Sequence, residues 1–112
     1  MNKVIITGRL AQGSDMRHMP SGKAVCSFSV MVHYRTRVRE EMEYIECVAW
    51  DTLAETIGGQ LAPGRKVAVE GRLHVRLLED ENGKKRKVME VVARDVEFMD
   101  GLSSQGEAEA FS

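Results

Sequence analysis

The sequence has few of the residues that mark several large classes of protein. Among 112 residues it has two cysteines and two prolines, and aromatic residues make up 5% of the chain. No apolar stretch approaches the ~20 residues that a transmembrane helix needs, and the N-terminus lacks the longer apolar segment of a signal peptide. Cys26 and Cys47 lie in apolar, strand-like runs and have no partner at metal-ligand spacing. We therefore expect reduced core cysteines, neither a disulfide nor a zinc site, in a soluble cytoplasmic protein without a membrane span.

The chain is long enough for one domain, and its charge is unevenly distributed. Its formal net charge is −1, so no overall positive field points to a nucleic-acid partner. Residues 1–39 carry seven Lys or Arg against one Asp, a net +6, whereas residues 40–57 carry six acids and no Lys or Arg, a net −6. The sequence therefore predicts a polarised surface, although the total is nearly neutral.

Alternation of apolar and polar residues predicts five strands. In the fourth, residues 63–76, the odd positions from Val67 to Val75 are apolar or Gly and are expected to face the core, whereas Arg72, His74 and Arg76 are expected to face outward. A short helix is predicted at residues 51–57, opened by Asp51 as a capping acid and ended by two glycines. The other predicted strands are residues 2–10, 24–35, 43–50 and 88–99; residues 11–23 are predicted as a loop and 36–42 as a mobile charged connection.

Glycines within two of these strands indicate how the sheet is shaped. Gly8 and Gly71 predict a bend or a bulge, as a strongly curved sheet requires. Five strands, with one helix between the third and the fourth, match the five-stranded Greek-key barrel of the OB-fold. An open five-stranded sandwich is the alternative. We expect residues 1–99 to form this all-β domain and residues 100–112 to be a short polar tail that does not fold.

The sequence argues against an enzyme. It has no phosphate-binding glycine loop, no nucleophile elbow and no zinc pattern, and its three histidines are scattered. Paired acids such as Glu40 and Glu41 are more simply explained as a solvated surface. We therefore expect no catalytic activity, no cofactor and no metal.

Aromatic and basic side chains instead indicate a nucleic-acid surface. Tyr44 and Trp50 fall on one face of the third predicted strand and could stack on bases, although packing against the helix or a partner subunit would also explain them. The cations of the fourth strand and those of Lys84–Lys87, beside the Asn82-Gly83 turn, could contact phosphates or simply be solvated. In an OB-fold these strands and loops form the oligonucleotide surface.

Several segments, in this order and at this spacing, make the chain resemble the bacterial single-stranded DNA-binding proteins. The resemblance covers residues 1 to about 99 and implies an OB-fold that binds single-stranded DNA without sequence preference, usually as a homotetramer, in replication, recombination and repair. A dimer is the alternative oligomeric state. The segments are NKVIITGRL, RHMPSGKAVCSFSV, WDTLAE, PGRKVAVEGRL, DENGKKRK and MEVVA.

The resemblance carries over to individual residues only in part. The stacking aromatics of the family fall on Tyr44 and Trp50. A third falls at about Thr36, where Tyr34 is the nearest ring, and a fourth falls on Leu78, which cannot stack in the same way. Glu46 stands where the family often has a basic residue, so we expect weaker binding than in a typical member. The expected DNA-binding residues are Lys3, Tyr34, Arg35, Tyr44, Trp50, Arg72, His74, Arg76, Lys84, Lys85, Arg86 and Lys87.

The C-terminal tail departs most from the family pattern. Family members usually end in a long linker and an acidic tip that recruits replication and repair proteins, whereas here only Glu107, Glu109 and Phe111 correspond to that tip. Recruitment of such partners is therefore expected to be weak. The related primosomal replication protein N, an interaction module of replication restart that shares the fold and lacks the tail, is the competing interpretation.

Overall fold

The computed structural model describes residues 1–99, so the predicted tail at 100–112 lies outside the described residues. The described part contains six strands and one helix. They are β1 (Val4–Leu10), β2 (Asp15–His18), β3 (Ala24–Arg35), β4 (Glu40–Trp50), α1 (Asp51–Ile57), β5 (Lys66–Glu79) and β6 (Lys85–Phe98).

Five of the strands close into a barrel. The sheet has the order β1-β5-β6-β4-β3-β2, and an additional pairing of β1 with β3 closes it, with β2 as an extra strand beside β3. That closing contact is short and matches Arg9 with Met31 and Leu10 with Val30. The predicted five-stranded barrel is thus confirmed, and the open sandwich is not what forms.

The extra strand, β2, lies in the segment that the sequence predicts to be a loop. It pairs antiparallel with the first third of β3, from Asp15 opposite Ser27 to His18 opposite Ala24. Because β2 precedes it, the helix lies between the fourth and fifth strands of the structure. Four residues flanked by Gly, Ser and Pro give too short an apolar pattern to reveal such a strand.

The boundaries of β3 and α1 agree with the prediction, whereas β4, β5 and β6 extend further into their hairpins than predicted. β4 begins at Glu40 and pairs with β3 as far as Arg35, so part of the predicted mobile connection is strand. β5 continues to Glu79, where it pairs with Lys85 at the start of β6. Two hairpin arms therefore extend from the barrel.

The barrel interior is filled by aliphatic side chains and one phenylalanine. The largest fully buried side chains include Phe28, Leu10 and Val67, and α1 covers one end of the barrel with Ala54 and Ile57. Both cysteines are free and buried within this core, as predicted. Burial raises the pKa of the Cys47 thiol to about 12, with smaller contributions from nearby carboxylates. The thiol is therefore neutral and unreactive at physiological pH.

The two strand glycines lie where backbones cross closely. A Cβ on Gly8 would overlap the carbonyl oxygen of Met31, and a Cβ on Gly71 would overlap that of Val92. The register of β5 against β6 shifts between Glu70 and Gly71, which is the predicted bulge. Both glycines thus permit the curvature that closes the barrel.

Two details of the prediction are wrong. Asp51 does not cap α1 through its side chain; the N-cap residue is Trp50, and Asp51 is the first helical residue, with φ of 56°. Leu73 and Val75 continue the core-facing side of β5, but they are exposed because the strand has left the barrel there. Within residues 1–99, no helix is long and apolar enough to span a membrane.

Candidate nucleic-acid interface

Two exposed aromatic side chains, Tyr44 and Trp50, lie on the side of β4 that faces away from the barrel core. Residues that oppose each other across paired strands project to the same face, and Met31 opposes Tyr44 while Val25 opposes Trp50. Tyr44 is 57% exposed and Trp50 is 40% exposed. The two residues are six positions apart on the strand, a distance of about 20 Å. The outer face thus presents one ring near each end.

Cations of β5 share this face. Val48 of β4 lies beside Val92 of β6, which in turn opposes Arg72 of β5. His74 and Arg76 follow Arg72 at every second residue and so project to the same side. Pairing across three strands therefore joins the aromatic residues and the basic residues into one surface, which we call the outer face.

Acidic side chains interrupt the outer face at two points. Glu90 lies 3.5 Å from Arg76, and its side chain is only 17% exposed. Glu46, between Tyr44 and Trp50 on β4, accepts a hydrogen bond of 2.7 Å from the Ser29 hydroxyl. Negative charge therefore lies between the two rings.

Other predicted cations approach the outer face from its edges. Val4 pairs with Gly71, and the Asn2 side chain is hydrogen-bonded to the backbone of Leu73. Lys3, between Asn2 and Val4, is therefore placed beside Arg72. Arg35 opposes Glu40 and is bonded to it at 2.9 Å. Arg86 opposes Leu78 on the outer side of the β5–β6 arm, and Lys84 precedes β6 in the hairpin turn.

Three predicted residues are not brought to the outer face. Tyr34 opposes Glu41, and this pair projects to the other side of the β3–β4 arm. Partial desolvation and the carboxylates of Glu43 and Glu41 raise the Tyr34 pKa above its ordinary value. Lys85 and Lys87 alternate with Arg86, so they project to the side of the β5–β6 arm that carries the exposed Leu77.

Two residues outside the predicted set, His33 and Arg17, also lie on the outer face. His33 opposes Met42, two residues from the Met31 and Tyr44 pair. Alternation predicts this position: Phe28, Val30 and Val32 face the core, so the odd-numbered residues of β3, His33 among them, project outward. Arg17 of β2 opposes Val25, and no local pattern identifies it, since β2 itself was not predicted.

Two concave regions flank the rings. A cleft of about 180 Å³ lies beside Trp50 and is lined in part by Arg17, Val48 and Arg76. A wider, open groove of about 420 Å³ lies beside Tyr44, between β3 and the Pro63-Gly64 turn. Among residues 1–99, no three His, Cys, Asp or Glu side chains are grouped so as to hold a metal ion.

Comparison with known proteins identifies the family of the chain. The sequence profile of the single-strand binding protein family matches residues 1–99. The chain belongs to this family. Among curated single-stranded DNA-binding proteins, that of Oceanobacillus iheyensis is 36% identical over 109 residues, which are 95% of this chain and 68% of the relative. That of Bacillus cereus is 36% identical over 110 residues, which are 96% of this chain and 65% of the relative.

A solved structure of the family has the same fold. The chain of a Plasmodium falciparum single-stranded DNA-binding protein complex with single-stranded DNA matches with a TM-score of 0.82 and 25% identity, over 89% of this chain and 96% of that chain. The present chain spans about two thirds of the length of the curated relatives. The family match covers all the strands that form the outer face.

Proposed function

We propose that this protein binds single-stranded DNA without sequence preference and has no catalytic role. The observation that carries the proposal is the outer face, where Tyr44 and Trp50 lie exposed on the same side of the sheet as Arg72 and Arg76. Aromatic rings stack on any base, and cations pair with a backbone that does not vary with sequence. Such a surface recognises the strand and does not read its bases.

Binding follows from two contributions. Stacking on an aromatic ring contributes about 1–3 kcal/mol per base. Neutralised phosphates release counterions, so affinity falls as salt rises, with a slope of about −0.7 per contact for single strands. In a duplex the bases are paired and stacked on one another, so their faces are not accessible for stacking on Tyr44 and Trp50.

We place this activity in DNA replication, recombination and repair, in the cytoplasm and at the nucleoid. In this proposal residues 1–99 are the binding domain. The family match over residues 1–99 favours this function over the primosomal replication protein N alternative.

The binding unit in this proposal is a homo-oligomer, a tetramer or a dimer. One edge of β1 pairs with β5 from Val4 to Arg9, whereas its other edge meets β3 only at Arg9 and Leu10. Among residues 1–99, no strand therefore pairs with the second edge between Val4 and Gly8. An open edge with exposed apolar side chains is a template for a strand of another chain.

The first test is the fluorescence of Trp50, the only tryptophan, during titration with oligo-dT at low and at high salt. We expect quenching by the single strand, weaker binding at high salt and little response to duplex DNA of equal length. Anisotropy of a labelled oligonucleotide measures binding independently of where Trp50 lies. Failure of the labelled strand to bind would contradict the proposed function.

A double charge reversal tests which face binds. Arg72→Glu with Arg76→Glu should reduce affinity for oligo-dT, oligo-dA and oligo-dC by similar factors, because both residues are assigned to phosphates. The matched control is Lys85→Glu with Lys87→Glu, which makes the same charge change on the other side of the same hairpin arm. Equal losses from both pairs would mean that net charge, and not the outer face, determines binding.

A further inference from the structure

The short strand β2 places Arg17 in the same cross-strand row as Trp50. Arg17 opposes Val25, and Val25 opposes Trp50. Neighbouring strands lie about 4.8 Å apart, so the backbones of Arg17 and Trp50 are about 10 Å apart and their side chains project to the same face. Val25 between them is only 4% exposed. It therefore forms the floor of a depression.

A second arginine, Arg76 of β5, also lines this depression. Trp50, Arg17 and Arg76 all line the cleft of about 180 Å³, together with the Ser27 and Glu90 side chains. A cavity of ~150 Å³ accommodates one benzene ring. The cleft thus has room for one planar ring, with one guanidinium on the β2 side and one on the β5 side.

Each arginine is oriented by a carboxylate but remains accessible. Asp15 holds the Arg17 side chain at 3.0 Å, and Glu90 lies 3.5 Å from Arg76. The arginine side chains are nevertheless 66% and 52% exposed. A guanidinium has five donors in a planar fork that suits phosphate oxygens. Each can therefore keep its acidic partner and still donate to an anion.

We propose that Arg17, Trp50 and Arg76 form a subsite for one nucleotide, in which the base stacks on the Trp50 indole and the two arginines bind the phosphates on either side of it. This inference rests on the proposed function and adds to it a residue of β2, the strand that the sequence did not reveal. β2 is then part of the binding surface, and the strand of DNA crosses β3 and β4 between β2 and the β5–β6 arm.

The test measures affinity for a labelled oligo-dT at several salt concentrations in the full chain. We expect Arg17→Ala to weaken binding about three- to tenfold at low salt and to reduce the slope of log affinity against log salt by about 0.7, the value for one lost phosphate contact. Arg17→Lys, which keeps the charge, should restore most of the slope. Arg17→Glu should weaken binding more than Arg17→Ala.

The matched control is Lys66→Ala, which removes an exposed cation at the far end of β5 from Arg76. It should leave the slope unchanged, and equal melting temperatures would show that each variant is folded. If the natural sequence binds and both Arg17→Ala and Arg17→Glu keep its affinity and slope, the subsite is wrong while the proposed function stands. If the natural sequence itself does not bind the labelled strand, the proposed function is contradicted, and the subsite with it.

Discussion

Glu46 is the residue on the outer face whose charge opposes the proposed ligand most directly. It lies on β4 between the two exposed rings, and its carboxylate accepts a hydrogen bond from Ser29. Serine carries no charge and cannot neutralise this carboxylate, so a phosphate passing between the rings meets its negative charge. We infer that Glu46 lowers affinity without disturbing the fold.

Glu46→Gln should therefore strengthen binding of oligo-dT. The amide keeps an acceptor for the Ser29 hydroxyl and removes the charge, and one charge pair at ~4 Å in water is worth about 1 kcal/mol. We expect a gain of about two- to fivefold at low salt that shrinks as salt rises, measured by anisotropy.

The matched control for this variant is Glu43→Gln. Glu43 lies on the same strand but opposes Val32, and so projects to the other side. An equal gain from both substitutions would mean that the effect comes from net charge and not from the position of Glu46.

At the scale of single elements, the sequence determines strands well wherever one face is buried against the core. The alternation of Cys26, Phe28 and Val30 locates β3, and the run from Asp51 to its closing glycines locates α1, because burial requires the corresponding period. The same alternation correctly joins Tyr44 and Trp50 on one face. These features depend only on local pattern.

Features set by distant parts of the chain were not predictable in the same way. Whether Leu73 and Val75 are buried depends on where β5 leaves the barrel, which is fixed by the partners of the strand and not by its own pattern. The β2 strand exists because an edge of β3 is available to it. Arg17 therefore reaches the outer face through a tertiary contact that the sequence does not display.

The bulge at Gly71 yields a prediction about the fold. Gly71→Ala would place a methyl group against the Val92 carbonyl, and neither backbone can move without breaking the β5–β6 pairing. Overpacking of this kind costs about 1–3 kcal/mol. We expect a loss of that order in the free energy of unfolding, measured by urea denaturation.

The matched control is Gly59→Ala, since a Cβ there has no atom within 4 Å. That variant should unfold at nearly the same urea concentration as the natural sequence. A Gly71→Ala protein of unchanged stability would show that the crossing of β5 and β6 is looser than the structure indicates.

For the whole molecule, a net charge of −1 is compatible with DNA binding because binding depends on where exposed cations lie and not on the total charge. Cations of β2 and of the β5–β6 arm lie on the outer face, whereas Glu70, Asp95 and Glu97 lie together with Ile5 at the base of β1, β5 and β6. The region around Ile5 is therefore unsuited to phosphates. It is also beside the open edge of β1, and so suits contact with another copy of the chain.

Ile5 tests whether this region holds the proposed oligomer together. Its side chain is 67% exposed in the single chain and opposes Glu70 across the β1–β5 pair. Ile5→Glu would set a second carboxylate beside Glu70 and bury both upon association, and an unpaired charge at an interface is strongly unfavourable. We expect association to weaken at least about tenfold, seen as a lower mass by sedimentation at matched concentrations.

The control for oligomerisation is Val38→Glu, the same kind of change at a residue that is 86% exposed near the tip of the β3–β4 arm. It should leave the mass unchanged. A natural chain that sediments as a single copy would contradict the oligomer itself, and an oligomer that survives Ile5→Glu would place the interface elsewhere.

DNA binding measured on the dissociated variant then shows whether one copy of the outer face is enough to hold a strand. We expect the dissociated variant to bind DNA more weakly than the oligomer. When several copies are joined, binding of one outer face to a strand raises the effective concentration of that strand at the others.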